Sequence, residues 1–83
     1  MPTERLATGS TVVSSSEFTL TADTLVSLKG ATAGSKLDVL LKDDAGAFTV
    51  IGALTQDKPG GILAAGTYRL DRPAGSTCGA FSA

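Results

Sequence analysis

The chain has 83 residues, enough for one domain around one hydrophobic core. Seven basic and eight acidic residues give a net charge of −1, with no histidine. That balance excludes the basic stripe of a nucleic-acid binder and gives no attraction to an anionic membrane surface. The single cysteine, Cys78, excludes an intrachain disulfide and, without imidazole, a zinc site built from several Cys and His ligands.

The opening, Met1-Pro-Thr-Glu-Arg5, is polar and no apolar run follows it, so no signal peptide is expected. No stretch approaches the ~20 apolar residues of a membrane helix. The expected setting is the inside of a cell, or an assembly built there. Residues 1–8 read as an N-terminal arm with Leu6 as the lone large apolar group. Residues 9–83 then read as a single β domain.

Thr11-Val-Val13 is a short β segment, and Ser14-Ser-Ser16 a turn. Glu17–Thr21 alternates, with Phe18 and Leu20 on the buried face; Thr24–Lys29 does the same with Val26 and Leu28. The stretch from Lys36 to Leu54 organises the rest. Leu37, Val39 and Leu41 alternate with Lys36, Asp38, Leu40 and Lys42, the period of a half-buried strand. Asp43-Asp-Ala-Gly46 supplies turn chemistry, and a second run follows in which Phe48, Val50 and Gly52 are expected to share a face. The pattern predicts a hairpin with a four-residue loop. Pro59-Gly-Gly61 cannot sit in a central strand. Ile62-Leu63 reads as a short edge strand, Gly66–Leu70 as a strand with Tyr68 and Leu70 inward, and Thr77–Ser82 as a last strand with Thr77, Gly79 and Phe81 on one face. All four aromatic residues, Phe18, Phe48, Tyr68 and Phe81, are assigned to the core. The expected fold is all-β: a small antiparallel β-sandwich or barrel of about seven to eight short strands.

Gly66-Thr-Tyr68 at the start of a late strand resembles a tyrosine corner, in which the phenol hydroxyl bonds upstream backbone. Gly30–Lys36 fails as a phosphate loop, because only three residues separate its glycines, Ser35 precedes the lysine, and a strand follows. Asp43 and Asp44 lack the spaced oxygens and distant glutamate of a calcium loop. Cys78 has no histidine to activate it, and no serine has a placed base. The chain is therefore expected to be no enzyme and to carry no cofactor or metal. Arg69, Asp71 and Arg72 suggest a surface ladder of ion pairs, with Arg69 and Arg72 as candidate subunit contacts.

Leu25–Ala31, Leu40–Phe48, Ala65–Arg69, Arg72–Gly75 and Gly79–Ser82 together give the chain a look similar to small structural proteins of tailed bacteriophages, the head-decoration (cement) or head-fibre proteins. The resemblance implies a non-enzymatic virion protein on the capsid surface. Its partner would be the major capsid protein, and it would be a homo-oligomer with a trimer favoured. The contacts expected on that reading are the arm (Thr3, Glu4, Arg5 and Leu6, on to Thr8), an exposed β edge not assigned to a particular strand, Arg69, Arg72, and Phe81 with the last strand. A phage fibre, spike or tail domain for host attachment, or a cellular β-sandwich adaptor, are the alternatives.

Overall fold

The computed structural model describes residues 2–83, and Met1 lies outside them. Among the described residues there is no helix. Nine strands follow in order: β1 (Thr3–Gly9), β2 (Val13–Ser14), β3 (Phe18–Leu20), β4 (Thr24–Lys29), β5 (Lys36–Lys42), β6 (Phe48–Thr55), β7 (Gly60–Leu63), β8 (Gly66–Arg72) and β9 (Cys78–Ser82). They form two antiparallel sheets. Sheet A runs β1-β9-β4-β7, and sheet B runs β2-β8-β5-β6 with β3 also paired to β8. The architecture is the sandwich, not the closed barrel.

The residues assigned to an N-terminal arm are, from Thr3 onward, the edge strand β1. Glu4 pairs with Phe81 and Leu6 with Ala80, and Leu6 is buried in the core. This is the strand by which the structure exceeds the expected number. β1 can approach β9 closely because Gly79 has no side chain: a Cβ there would lie 2.6 Å from the Leu6 carbonyl oxygen and 2.7 Å from the Thr8 nitrogen.

The core follows the alternation of the strands. Phe18 and Leu20 from β3, Val26 and Leu28 from β4, Leu37 and Val39 from β5, and Tyr68 and Leu70 from β8 point inward and cluster with Leu54, Cys78 and Ala80. Leu37, Leu70 and Cys78 have no exposed surface. Truncating one of these leucines to alanine costs about 2–5 kcal/mol, a large share of the stability of a small domain. Only two of the four aromatics join this core. Phe48 and Phe81 lie half-buried outside it. In β9 the inward positions go to Cys78, Ala80 and Ser82, because Ala80 is flanked in register by Leu6 on β1 and Leu28 on β4. Two leucines leave that layer no room for a phenylalanine.

The central hairpin forms, with a loop from 43 to 47 that is one residue longer than expected. Asp43 holds it: its N–H donates to the Ala47 carbonyl at 2.7 Å, and its Oδ1 accepts from the N–H groups of Ala45 and Ala47, both at 2.9 Å. Gly46 takes φ of 86°, which a side chain would disfavour. The β5–β6 ladder then slips. Val39 faces Gly52 but Leu40 faces Val50, leaving Ile51 as a bulge. Phe48, Val50 and Gly52 therefore do not share a face. Gly52 lies opposite inward-pointing Val39, and Val50 opposite outward-pointing Leu40.

Tyr68 makes the predicted corner, its hydroxyl donating to the Ala64 carbonyl at 2.8 Å. The Gly30–Ser35 loop is pinned through buried Ser35. That hydroxyl donates to the Thr77 carbonyl at 2.8 Å and accepts the Thr32 and Thr77 N–H groups at 3.2 Å each.

Candidate functional site

The two open sides of the sandwich are built differently. On one side the β1 edge of sheet A meets the β2/β3 edge of sheet B, and arginines close the gap. Arg5 donates through Nε to Ser82 Oγ at 2.9 Å and lays its guanidinium 4.8 Å from the centre of the Phe18 ring. Arg72 is 4% exposed, and its guanidinium bonds backbone of three segments. Nη1 donates to the carbonyls of Ala7 at 2.9 Å and Cys78 at 2.7 Å, Nε to the Thr11 carbonyl at 2.7 Å, and Nη2 to Thr11 Oγ1 at 3.3 Å. A planar fork with five donors suits this task, which an ammonium could not perform.

On the other side β6 and β7 leave a cleft of about 160 Å³, lined largely by Val39, Ile51, Leu54 and Leu63 with Gly52 and Lys58. No ion pair or side-chain bridge crosses it among the described residues.

The outer face of sheet A carries the exposed apolar surface. Leu25 on β4 and Ile62 on β7 are cross-strand partners, 41% and 65% exposed. Leu25 leans over Gly60, and Phe81 lies diagonally across from Leu25, paired with Ser27 on one side and Glu4 on the other. An ion pair between Glu4 and Lys29 borders this face.

The outer face of sheet B is more polar. Arg69 forms a two-bonded pair with Asp71 (Nε to Oδ1 at 2.9 Å, Nη2 to Oδ2 at 3.1 Å) and stacks 4.8 Å from the Phe48 ring centre. Leu40, paired with Arg69 and Val50 and only 5% exposed, lies among these groups and outside the main core. Asp38 sits opposite Asp71 and is held by Lys36 at 3.5 Å. These carboxylates line a shallow depression of about 440 Å³ with Val12, Val13, Ser14, Arg72 and Pro73. Each already has a cationic neighbour. Among the described residues no three His, Cys, Asp or Glu side chains converge to hold a metal ion.

The residues singled out in the sequence do not form one site. Glu4 and Phe81 share the outer face of sheet A, with Thr3 exposed at its margin. Arg69 stands on the opposite sheet, bound to Asp71. Arg5, Leu6 and Arg72 face into the molecule: Leu6 is core, and the two arginines join sheet to sheet. Cys78 is buried, and burial raises its thiol pKa, an effect that the Arg72 charge partly opposes. Sequence reasoning missed Leu25 and Ile62, and it expected an exposed β edge without placing it at β6. Leu25 and Ile62 carry a readable signal, since each is out of phase with the inward residues of its own strand.

No protein-family model matches the chain, and neither a curated protein nor a solved structure matches it significantly.

Proposed function

We propose that the chain is a structural binding protein that decorates a protein lattice, and that the lattice is the major capsid protein of a tailed bacteriophage. The observation that carries the binding role is the outer face of sheet A. It gathers Leu25, Ile62 and Phe81 on a four-stranded surface bordered by the Glu4–Lys29 pair. Contiguous exposed apolar surface with a polar rim is the chemistry of a protein contact. The capsid as partner rests on the resemblance of the sequence to decoration and head-fibre proteins.

The mechanism is mass action. A ligand that binds the assembled lattice and not its dissociated subunits stabilises the assembly by its binding free energy. Many copies on one shell multiply the effect.

The test is co-sedimentation of the purified chain with expanded capsids of the phage whose genome encodes it, alongside intact host cells. Saturable binding to capsids, lost in Ile62→Lys, is the expected result. Binding to cells and not to capsids would replace this reading with a fibre or tail role.

A further inference from the structure

Four strand edges border the two sheets, and three of them are blunted against pairing. β1 carries Glu4 and Arg5 and follows Pro2. β2 and β3 are two and three residues long. β7 is four residues long and follows Pro59. Short strands, charges and prolines are the usual protections of an exposed edge. β6 is the exception. It is eight residues long, Phe-Thr-Val-Ile-Gly-Ala-Leu-Thr, with no charge and no proline, and from Thr49 to Ala53 every residue is exposed. Between Phe48 and Leu54 its outer backbone groups bond nothing among the described residues. Val50 and Ile51 are 59% and 50% exposed.

We propose that β6 is a self-association edge, pairing antiparallel with β6 of a second copy of this chain across a two-fold axis. The proposal is independent of the capsid reading, and it differs from the trimer that the resemblance implies.

The register follows from the bulge. Phe48 and Val50 point to the outer face of sheet B, as does Ala53 beyond the bulge, while Thr49 and Gly52 point inward. A two-fold axis normal to the sheet keeps faces in phase through the bulge only when the bulge lies on the axis. With the bulge on the axis, Val50 meets Ile51 of the other copy, Thr49 meets Gly52, and Phe48 meets Ala53. Two of these three pairs set a larger side chain against a small one. Gly52 is open on that side: a Cβ there would touch nothing within 4 Å. Thr49 of the second copy therefore has room at the mouth of the cleft between β6 and β7.

Charge also permits the pairing. An uncharged edge meets itself without repulsion, which an edge carrying a charge of one sign could not do. Beyond the strand ends, the acidic turn Asp43–Asp44 of one copy faces the Asp57–Lys58 end of the other. Lys58 forms no ion pair among the described residues of its own chain. With Asp57 beside it, that end has no net charge.

The experiment is sedimentation equilibrium of the full chain across a wide dilution series. The expected particle has twice the 8.3 kDa chain mass. Ile51→Lys should weaken it by roughly tenfold or more, because like charges then meet at the axis, whereas Val12→Lys, on a remote exposed site, should leave it intact. Ile51→Cys should oxidise to a covalent dimer with the circular dichroism of the native chain; buried Cys78 does not compete. This variant decides the matter should Ile51→Lys fail to fold. A monomer at every concentration, a trimer, a dimer indifferent to Ile51→Lys, or an Ile51→Cys chain that never cross-links would each overturn the proposal.

Discussion

Arg72 on β8 of sheet B donates to the carbonyl oxygen of Cys78 on β9 of sheet A at 2.7 Å. A buried guanidinium therefore caps the start of a strand in the opposite sheet. The same group holds Ala7 on β1 and Thr11 ahead of β2. One side chain thus joins four segments at the closed side of the sandwich. No carboxylate takes part, so the charge is solvated by backbone dipoles in place of water.

Replacing Arg72 should accordingly be among the most damaging changes in the chain. Arg72→Met keeps much of the volume but leaves three carbonyls without donors, and a loss of about 3 kcal/mol or more is expected. Arg72→Lys keeps the charge but cannot fork, and should recover less than half of that loss. Urea denaturation followed by circular dichroism measures both. A loss below about 1 kcal/mol in Arg72→Met would mean that water replaces the fork without difficulty.

The thiol of Cys78 gives a pH signature. Burial raises its pKa in the folded chain, the nearby Arg72 charge working the other way. The folded state then keeps a proton that the unfolded state releases above about pH 8.5. The stability linked to this group is complete below that pH and is lost as pH climbs toward the folded thiol's higher pKa. Cys78→Ala should flatten this alkaline decline relative to the native chain, as measured by denaturation midpoints at a series of alkaline pH values. The native thiol should also resist disulfide reagents at neutral pH until the chain unfolds.

The features legible in the sequence were those set by local alternation. β3, β4, β5 and β8 carry clean period-two patterns, and their inward apolar residues are the ones read from that period. Tyr68 was legible because a corner is a short local motif. β1 was not, because Thr-Glu-Arg-Leu-Ala-Thr-Gly has one large apolar side chain, and its place depends on Gly79 far along the chain. The phase of β9 was misread for a related reason. Phe81 is its most apolar residue, yet Leu6 and Leu28 on the neighbouring strands already fill the inner layer. The same limit hid the exposed edge of β6: Val50 reads as an ordinary strand residue until the sheet order shows that, among the described residues, no strand lies beyond it. Arg72 reads as a surface ladder residue beside Arg69 because it is charged, yet it is in phase with Tyr68 and Leu70 and points inward with them.

Tyr68→Phe removes the hydroxyl that bonds the Ala64 carbonyl and nothing else. A loss of about 1 kcal/mol is expected, from the hydrogen bond and the constraint it places on the turn into β8. The ring stays packed against Phe18, 6.2 Å between centres. The change should leave the far-ultraviolet circular dichroism of the sheets largely intact while lowering the denaturation midpoint. An unchanged midpoint would show that water serves Ala64 equally well.

Gly79 and Gly52 make opposite predictions for the same substitution. Gly79→Ala places a methyl 2.6 Å from the Leu6 oxygen and 2.7 Å from the Thr8 nitrogen, both backbone atoms that cannot move without shifting β1. The expected cost is about 1–3 kcal/mol, as for overpacked sites, and it should fall locally. Amide exchange should accelerate first along Thr3–Gly9 and its partner β9, with β5 and β8 protected until global unfolding. Gly52→Ala puts the methyl into open space on an exposed strand. There the lower entropy of the unfolded chain should raise stability by about 0.4–1 kcal/mol. If Gly79→Ala were tolerated with normal β1 protection, β1 would not be the tightly docked strand the register describes.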